Sequence, residues 1–379
     1  KAYYENGKLL YEGEFKNGAW NGGKEYRENG KLYYEGKYKD YKKHGEGKLY
    51  DYGKLEYQGE FKDNKLNGEG KQYYENGKLR YEGEFKDNKK NGKGKLYDYK
   101  YNLIYEGEFI DGICNGEGKE YYEDGKLKYE GEFKDGESDG EGKLYHENGK
   151  LNYVGEFKDG KSDGEGKRYH PNGKLYYEGE FKDGKYNGEG KVYHENGKLK
   201  YEGEFTEGEF TDGKWNGKGK AYYENGKLLY EGEFKNGLVN GIGKQYYENG
   251  GKLKYDGEVK EGQYNGEGKV FDLNGKLKYK GKFKDGESYG EGKLYYPNGK
   301  LKYEGIFKDN LGYMGIYYLY YDKSEIIIDN SKNIFKSTLM IKKNKKNYQI
   351  NCNYQINNNK KNSINYNKKK IIIKGHILN

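Results

Sequence analysis

Proline, cysteine and aliphatic residues are scarce in this 379-residue chain, and each shortage excludes a class of structure. The 2 cysteines, Cys114 and Cys352, lie in different regions, so no disulfide framework is expected. Together with the lack of an Asn-x-Ser/Thr sequon, this favours a reducing, cytoplasmic setting. The apolar run Ile371-Ile372-Ile373 is far too short to span a membrane, so no transmembrane segment is predicted. The abundant residues are instead 63 Gly and 49 Tyr.

The stretch from Tyr129 to Asn152, YEGEFKDGESDGEGKLYHENGKLN, predicts two strands and two turns. Its first five residues alternate apolar or small with charged, which is typical of a half-buried strand. The segment 134–140 is dense in Asp and Gly and predicts a turn, and 141–146 predicts a second strand. Asn148-Gly149 then predicts a type I′ hairpin turn, because both residues tolerate a positive φ.

This unit recurs along most of the chain with a period of 23 and later 24 residues. Every strand is followed by a short turn, so each strand should pair antiparallel with its neighbour and lean on the next hairpin. We therefore predict an all-β fold, an elongated, twisted, single-layer antiparallel β-meander of about thirteen hairpins. The opening tyrosines are Tyr11, Tyr34, Tyr57, Tyr81, Tyr105, Tyr129, Tyr153, Tyr177, Tyr201, Tyr230, Tyr255, Tyr279 and Tyr303.

Because aliphatic residues are few in the units, burial must come from Tyr and Phe stacked along the sheet. Gly140 and Gly142 lack side chains and could leave room for an aromatic ring of the adjacent unit. The alternative is that these glycines serve only turns and bulges.

Three regions are predicted from the repeat and from composition. Residues 1–316 form the repeat array, 317–329 form degenerate capping strands, and 330–379 form an Asn/Lys/Ile-rich low-complexity tail that is expected to be disordered. The chain begins with Lys1 in the second half of a unit, which leads us to expect further repeats before it.

The net charge of +8 is distributed unevenly. Residues 320–379 carry 13 Lys against 3 acidic residues, whereas the preceding part carries 58 basic and 60 acidic residues. A nearly neutral array with interleaved Glu and Lys favours a solvated face over a nucleic-acid footprint, so nucleic-acid binding is not expected of the array. The tail alone is basic, and its lysines could contact RNA or anionic lipid headgroups if they are not simply solvated.

Three motifs resemble functional sites, but none of them has the residues or the spacing that such a site requires. His146, His170 and His194 recur at one position of the unit, roughly 10 Å apart in such a sheet, which is too far to share a metal ion. Asp159 to Gly164 resembles the start of a calcium loop, but His170 stands where a bidentate Glu would be needed. Gly166-Lys167 is not followed by the Ser or Thr of a phosphate-binding loop. We therefore predict no metal and no cofactor.

The unit resembles the MORN repeat, whose pattern has a Tyr-x-Gly opening, a Gly near the turn and a later Gly-x-Gly. The extra Asn-Gly-Lys-Leu at 148–151 is similar to the variant repeat of bacterial MORN-like, antitoxin-like proteins. The resemblance covers about residues 1–316. The matching positions are Tyr129, Gly131, Gly136, Gly140 and Gly142, and equivalents such as Tyr177, Gly179, Gly184, Gly188 and Gly190.

The resemblance implies a non-catalytic scaffold for protein–protein interaction that is membrane-proximal or associated with the cytoskeleton. A phospholipid-binding module is one alternative, and an accessory region of a kinase or methyltransferase is another. Near-identical units also offer no unique constellation for catalysis, so no enzyme activity is predicted. Self-association through exposed sheet edges is a further expectation.

The predicted contact surface is the aromatic and glycine-lined face, and the lysines of the tail are the candidate contacts to an anionic surface. The first set is Tyr129, Gly131, Phe133, Gly140, Gly142, Tyr145, Tyr153, Gly155, Phe157, Gly164, Gly166, Tyr169, Tyr177, Gly179, Phe181, Gly188, Gly190 and Tyr193. The second set is Lys342, Lys343, Lys345, Lys346, Lys368, Lys369 and Lys370.

Overall fold

The computed structural model describes residues 1–206, 214–318, 325–329, 336–343 and 346–353, with side chains up to Gly315. The chain divides into two units, Lys1–Gly188 and Glu189–Asn379, and the boundary falls within one strand. All secondary structure in the described ranges is β, and within each unit the strands up to β28 that follow one another along the chain pair antiparallel in a single layer, whereas β29 and β30 belong to a separate two-stranded sheet. The predicted fold class, a single-layer antiparallel meander of tandem hairpins, is thereby confirmed.

The strands of unit 1 are eight to ten residues long, except for the first. They are β1 (Ala2–Tyr3), β2 (Leu9–Lys16), β3 (Ala19–Tyr26), β4 (Leu32–Lys39), β5 (Lys42–Asp51), β6 (Lys54–Lys62), β7 (Lys65–Tyr73), β8 (Leu79–Lys86), β9 (Lys89–Tyr97), β10 (Leu103–Ile110), β11 (Ile113–Tyr121), β12 (Leu127–Lys134), β13 (Glu137–Tyr145), β14 (Leu151–Lys158), β15 (Lys161–Tyr169) and β16 (Leu175–Lys182); the unit boundary lies in β17 (Lys185–Tyr193).

Unit 2 repeats the pattern with strands of eight or nine residues, until the shorter β28. Its strands are β18 (Leu199–Thr206), β19 (Lys214–Tyr222), β20 (Leu228–Lys235), β21 (Leu238–Tyr246), β22 (Leu253–Lys260), β23 (Gln263–Phe271), β24 (Leu277–Lys284), β25 (Glu287–Tyr295), β26 (Leu301–Lys308), β27 (Leu311–Tyr318), β28 (Glu325–Asp329), β29 (Lys336–Lys343) and β30 (Lys346–Asn353).

The end of unit 2 departs from the repeat. Strand β28 pairs with β27, at the place where the sequence predicts capping strands. In the tail, β29 and β30 pair with each other, and both fall in the stretch 330–379 for which composition predicts disorder. Residues 344–345 and 354–379 lie outside the described residues, and the predicted domain limits stay predictions.

The type I′ turn lies at a different dipeptide from the one predicted. Asp135 and Gly136 both have positive φ, +52° and +90°, and they join Lys134 to its direct partner Glu137. At the other turn only Gly149 has positive φ, and its N–H donates to the carbonyl of His146. The prediction for Asn148-Gly149 was therefore wrong in turn type, because Asn148 keeps an ordinary φ and Gly149 alone takes the left-handed conformation.

Strand β13 also begins four residues earlier than predicted, at Glu137 instead of Glu141. The sequence of segment 137–140 predicts a loop because it contains Asp139 and Gly140. In the structure, the register shift between Gly131 and Phe133 accommodates the extra residues as a bulge. Gly140 permits this, because its φ of +91° is one that only glycine adopts readily.

The core is a ladder of Tyr and Phe rings. Tyr129 is 2% exposed, and its ring meets Phe133 of its own unit edge-to-face at 5.0 Å between centroids. The same ring meets Phe157 of the following unit at 5.1 Å in the same orientation. Edge-to-face contacts add to the burial of area, and this one joins consecutive units. The composition predicts burial by stacked aromatic residues, and the structure confirms it.

The ring that lies on the glycines comes from the same unit, whereas the adjacent unit was the expectation. A Cβ added to Gly142 would lie 2.6 Å from two carbons of the Tyr129 ring. Gly142 pairs directly with Gly131 on one side and with Gly155 on the other. Gly140 lies under the carboxylate of Glu132 instead of under a ring. The tyrosine thus folds back over its own hairpin.

The hydroxyl of Tyr129 donates a hydrogen bond to the carbonyl of Glu132, at 3.0 Å. Replacing Tyr129 by Phe should lower the free energy of unfolding by about 1 kcal/mol, because the ring contacts persist and only this bond is lost. Urea unfolding measures the change, and Tyr52→Phe is the matched control, since Tyr52 is 66% exposed. Equal midpoints for the two variants would contradict a stabilising role of the hydroxyl.

Candidate interaction surface

A groove crosses the strands of unit 1 on the face opposite the Tyr and Phe rings. Its volume is about 1070 Å³, and it extends from Glu46 on β5 to Val154 on β14. Ten strands at about 4.8 Å spacing make its length roughly 43 Å. The lining consists of Gly, Glu and Lys residues with Gln58 and Val154.

The floor of the groove is a line of glycines, one from each strand from β6 to β13, which we call the glycine stripe. Each glycine pairs in register with the next, as Gly118 does with Gly131. Because each lacks a side chain toward the rings, the tyrosine closes against the backbone and leaves backbone as the groove floor. The stripe is Gly59, Gly70, Gly83, Gly94, Gly107, Gly118, Gly131 and Gly142.

One side of the stripe carries alternating Lys and Glu, which we call the ion-paired row. Here the cross-strand neighbours neutralise each other, as Lys71 and Glu82 do at 3.3 Å and Lys143 and Glu130 do at 3.2 Å. A hydrogen bond from Tyr97 at 2.8 Å, with help from Lys71, holds the pKa of Glu82 below its usual range. The row is Lys71, Glu82, Lys95, Glu106, Lys119, Glu130 and Lys143.

The other side of the stripe carries glutamates in direct cross-strand opposition, which we call the acidic row. Lys93 on β9 is the single cation at an equivalent position from β5 to β16, and it lies opposite Glu108. Like charges directly opposite each other destabilise a sheet, so this arrangement is costly in isolation. The row is Glu46, Glu60, Glu69, Glu84, Glu108, Glu117, Glu132, Glu141, Glu156, Glu165 and Glu180.

The glycines at the bulges, such as Gly140, make room for the carboxylates of the acidic row. A Cβ at Gly140 would lie 2.6 Å from a carboxylate oxygen of Glu132, and one at Gly164 would meet Glu156 in the same way. The missing side chain makes the space that the carboxylate occupies. Sequence reasoning missed this row, because the glutamates appear evenly interleaved with lysines along the chain and are collected only by strand pairing.

The predicted contact residues separate into core and surface. The rings of Tyr129, Tyr153 and Tyr177 are at most 2% exposed and form the core. Gly131 and Gly142 belong to the groove floor, whereas Gly140 and Gly164 support the acidic row. Tyr145, Tyr169 and Tyr193 are half-buried. The contact surface itself stays a prediction, and a partner would meet glycine backbone and charged side chains before any of these core rings.

His146 and His194 take the place of tyrosine in a bond between hairpins, whereas the Nε2 of His170 is buried without a hydrogen-bond partner among the described residues. Tyr122 donates its hydroxyl hydrogen to the carbonyl of Tyr145 at 2.7 Å. His146 Nε2 lies 3.1 Å from the carbonyl of Tyr169, and His194 Nε2 lies 3.2 Å from that of Tyr222, so each replaces a tyrosine hydroxyl. The interpretation of these histidines as substitutions at a tyrosine position agrees with this geometry.

The lysines of the tail are described only in part. Lys342 and Lys343 lie in β29 and Lys346 in β30, and Lys345, Lys368, Lys369 and Lys370 lie outside the described residues. The described part of the chain contains no apolar helix of the length that a membrane crossing requires.

Two related repeat families match the chain. The family described as "MORN repeat variant" matches residues 1–17, 23–40, 66–87, 115–135, 138–159, 162–183, 186–207, 215–236, 264–285 and 289–309. The family described as "MORN repeat" matches residues 34–52, 81–102, 230–252 and 255–270. No curated protein matches the chain.

Among solved structures, the one titled "Crystal Structure of TcdB2-TccC3-Cdc42" aligns with 91% of this chain at 10% identity. The TM-score of that alignment is 0.17, and the alignment spans 20% of the other chain's length, so the likeness carries no functional argument.

Proposed function

The chain belongs to the MORN repeat family, and from that premise we propose that it is a non-catalytic scaffold that binds other proteins through the groove of unit 1. Repeats of this family are commonly protein- or lipid-interaction modules and are generally not catalytic. The observation that carries the proposal is the groove itself, a surface of nearly constant composition across ten strands. Such a surface suits a long, repetitive contact better than it suits the enclosure of one small molecule.

The proposed setting is cytoplasmic, since Cys114 is a free thiol and a reducing compartment preserves it. Self-association remains part of the proposal as a secondary property, because an array of strands ends in sheet edges.

Site-specific photo-cross-linking in the full chain tests the proposal. Photoreactive amino acids replace Gln58 or Val154, two uncharged residues at different points of the groove, and Tyr52 serves as an exposed position outside it. We expect the same discrete protein adducts from both groove positions and none from Tyr52. Adducts that do not depend on position, or none from the groove, would count against a protein-binding groove.

Phospholipid binding is the second candidate, and the lysine-rich tail is what favours it. The acidic row would repel anionic headgroups, so any attraction would have to come from lysines such as Lys368, Lys369 and Lys370. Co-sedimentation of the full chain with anionic and neutral vesicles separates the candidates. Binding to anionic vesicles that disappears when these three lysines become Gln would support a tail-dependent membrane contact, and no binding would favour the protein scaffold. An accessory role beside a catalytic domain is compatible with either.

A further inference from the structure

We propose that the groove of unit 1 receives an extended, lysine- or arginine-rich segment of another protein, which runs across the strands with its cations against the acidic row. The inference rests on the proposed protein-binding function and adds the chemistry of the partner. The groove lies on a sheet face that no other element of unit 1 covers in the described residues. The uncompensated negative charge of the acidic row indicates that the bound segment is cationic.

The two sides of the groove differ in how much of their charge is already compensated. Every lysine of the ion-paired row has a glutamate of that row within 4 Å, for example Lys119 and Glu130 at 3.9 Å. The acidic row makes no ion pair in the described part of the chain, and Glu117 faces Glu132 while Glu141 faces Glu156. A bound cation would relieve this repulsion between opposed carboxylates. Binding of a cationic partner is therefore stabilised by the acidic row, and the ion pairs on the other side of the groove do not have to break.

The spacing of the hairpins indicates the form of the segment. Each hairpin adds two strands, so equivalent glutamates such as Glu117 and Glu141 recur at roughly 9.6 Å along the groove. A polyproline II segment advances about 3.1 Å per residue with three residues per turn, so every third side chain points the same way at about 9.3 Å. Lysines at every third position would then meet successive hairpins in register. The glycine floor lets the backbone of such a segment approach closely.

The contrast with unit 2 supports the restriction to unit 1. At the equivalent positions of the pairs that the structure describes there, Lys218 faces Glu233 and Glu267 faces Lys282. Ile242 faces Glu258 and Ile306 faces Glu291 in the remaining two. The repeat itself therefore does not demand opposed glutamates. Their accumulation in unit 1 is a property of that surface and not of the fold.

The test uses the full chain and a labelled synthetic peptide of about 14 residues with lysine at every third position, matched to the groove length. The variant replaces Glu46, Glu69, Glu117 and Glu141, four glutamates of the acidic row that line the groove, by Gln, which removes repulsion and should leave the fold intact. The control variant removes four exposed glutamates from turns outside the groove and has the same net charge. Those four are Glu28, Glu75, Glu123 and Glu147.

We expect the groove variant to bind the peptide about tenfold more weakly than the unaltered chain, the control to bind it nearly as well, and salt to weaken binding in both. A peptide of the same composition with its lysines in one block should bind less tightly. Equal loss in both four-site variants, or none in either, would overturn the proposal.

Zero-length cross-linking of lysine to carboxylate identifies the occupant in the full chain. Adducts between the peptide and Glu117 or Glu141 are expected. Adducts of the chain's own Lys360 or Lys368 with these glutamates, undisturbed by excess peptide, would overturn a foreign occupant and assign the groove to the tail. If the groove still yields protein adducts in the photo-cross-linking experiment while no cationic peptide binds, the scaffold stands and only the cationic partner fails.

Discussion

Replacing Gly142 by Ala is expected to lower the free energy of unfolding by about 3 kcal/mol. The new Cβ would stand 2.6 Å from carbons of the Tyr129 ring, closer than any packed contact allows. That ring cannot move aside, because Phe133 and Phe157 hold its edges at 5.0 and 5.1 Å between centroids. Urea unfolding followed by circular dichroism measures the loss.

Gly149→Ala is the matched control. Gly149 has a φ of +80° and open space around it, so the substitution adds backbone strain of about 1 kcal/mol and no collision. The double variant Tyr129→Ala with Gly142→Ala gives a sharper test, because removing the ring removes the collision. Tyr129→Ala alone should cost about 4 kcal/mol, and the double variant should cost less than the sum of the two single losses. Additive losses would show that the ring and the glycine are not in contact.

The array is expected to unfold in alkali above about pH 10 as its ladder tyrosines ionise. Burial, and then the carboxylates of neighbouring glutamates, raises the pKa of Tyr57, Tyr81 and Tyr129 far above the ordinary value of about 10. The same causes raise the pKa of Tyr230 to about 12, and burial followed by the charge of Glu267 raises that of Tyr279 to about 12.

The sign of the effect follows from linkage. These hydroxyls hold their protons more tightly in the folded chain than in the unfolded chain, so their contribution is complete below about pH 10. It is lost as the pH rises toward the folded values, because the unfolded chain then releases protons that the folded chain keeps. One such group per repeat makes the combined loss large.

Tyrosinate absorbance and circular dichroism should change together as the pH rises. The double variant Tyr129→Phe with Tyr153→Phe keeps both rings and removes two ionisable hydroxyls, so its stability should depend less steeply on pH. Full ionisation near pH 10 with an unchanged circular dichroism spectrum would contradict burial of the ladder.

The strands and the family could be predicted from local patterns, because both depend on residues close together in the chain. Alternation of Tyr, Gly and Phe with charged residues predicts β2 to β27, and the repeat resemblance is confirmed by the family matches. The turn type at Asn148-Gly149 could not be predicted in this way. Both Asn-Gly and Asp-Gly tolerate positive φ, and the register of the strands determines that the type I′ turn lies at Asp135-Gly136.

The sequence by itself determined a meander of hairpins with an aromatic core and a nearly neutral array, because period, turn residues and composition are local properties. Only the tertiary structure decided that each tyrosine covers the glycines of its own hairpin, since that depends on how the side chain folds back across a paired strand. The tertiary structure also decided how the charged side chains are distributed over the surface. Strand pairing places Lys71 beside Glu82 but Glu117 opposite Glu132, so an evenly charged sequence becomes a surface with one compensated and one acidic side.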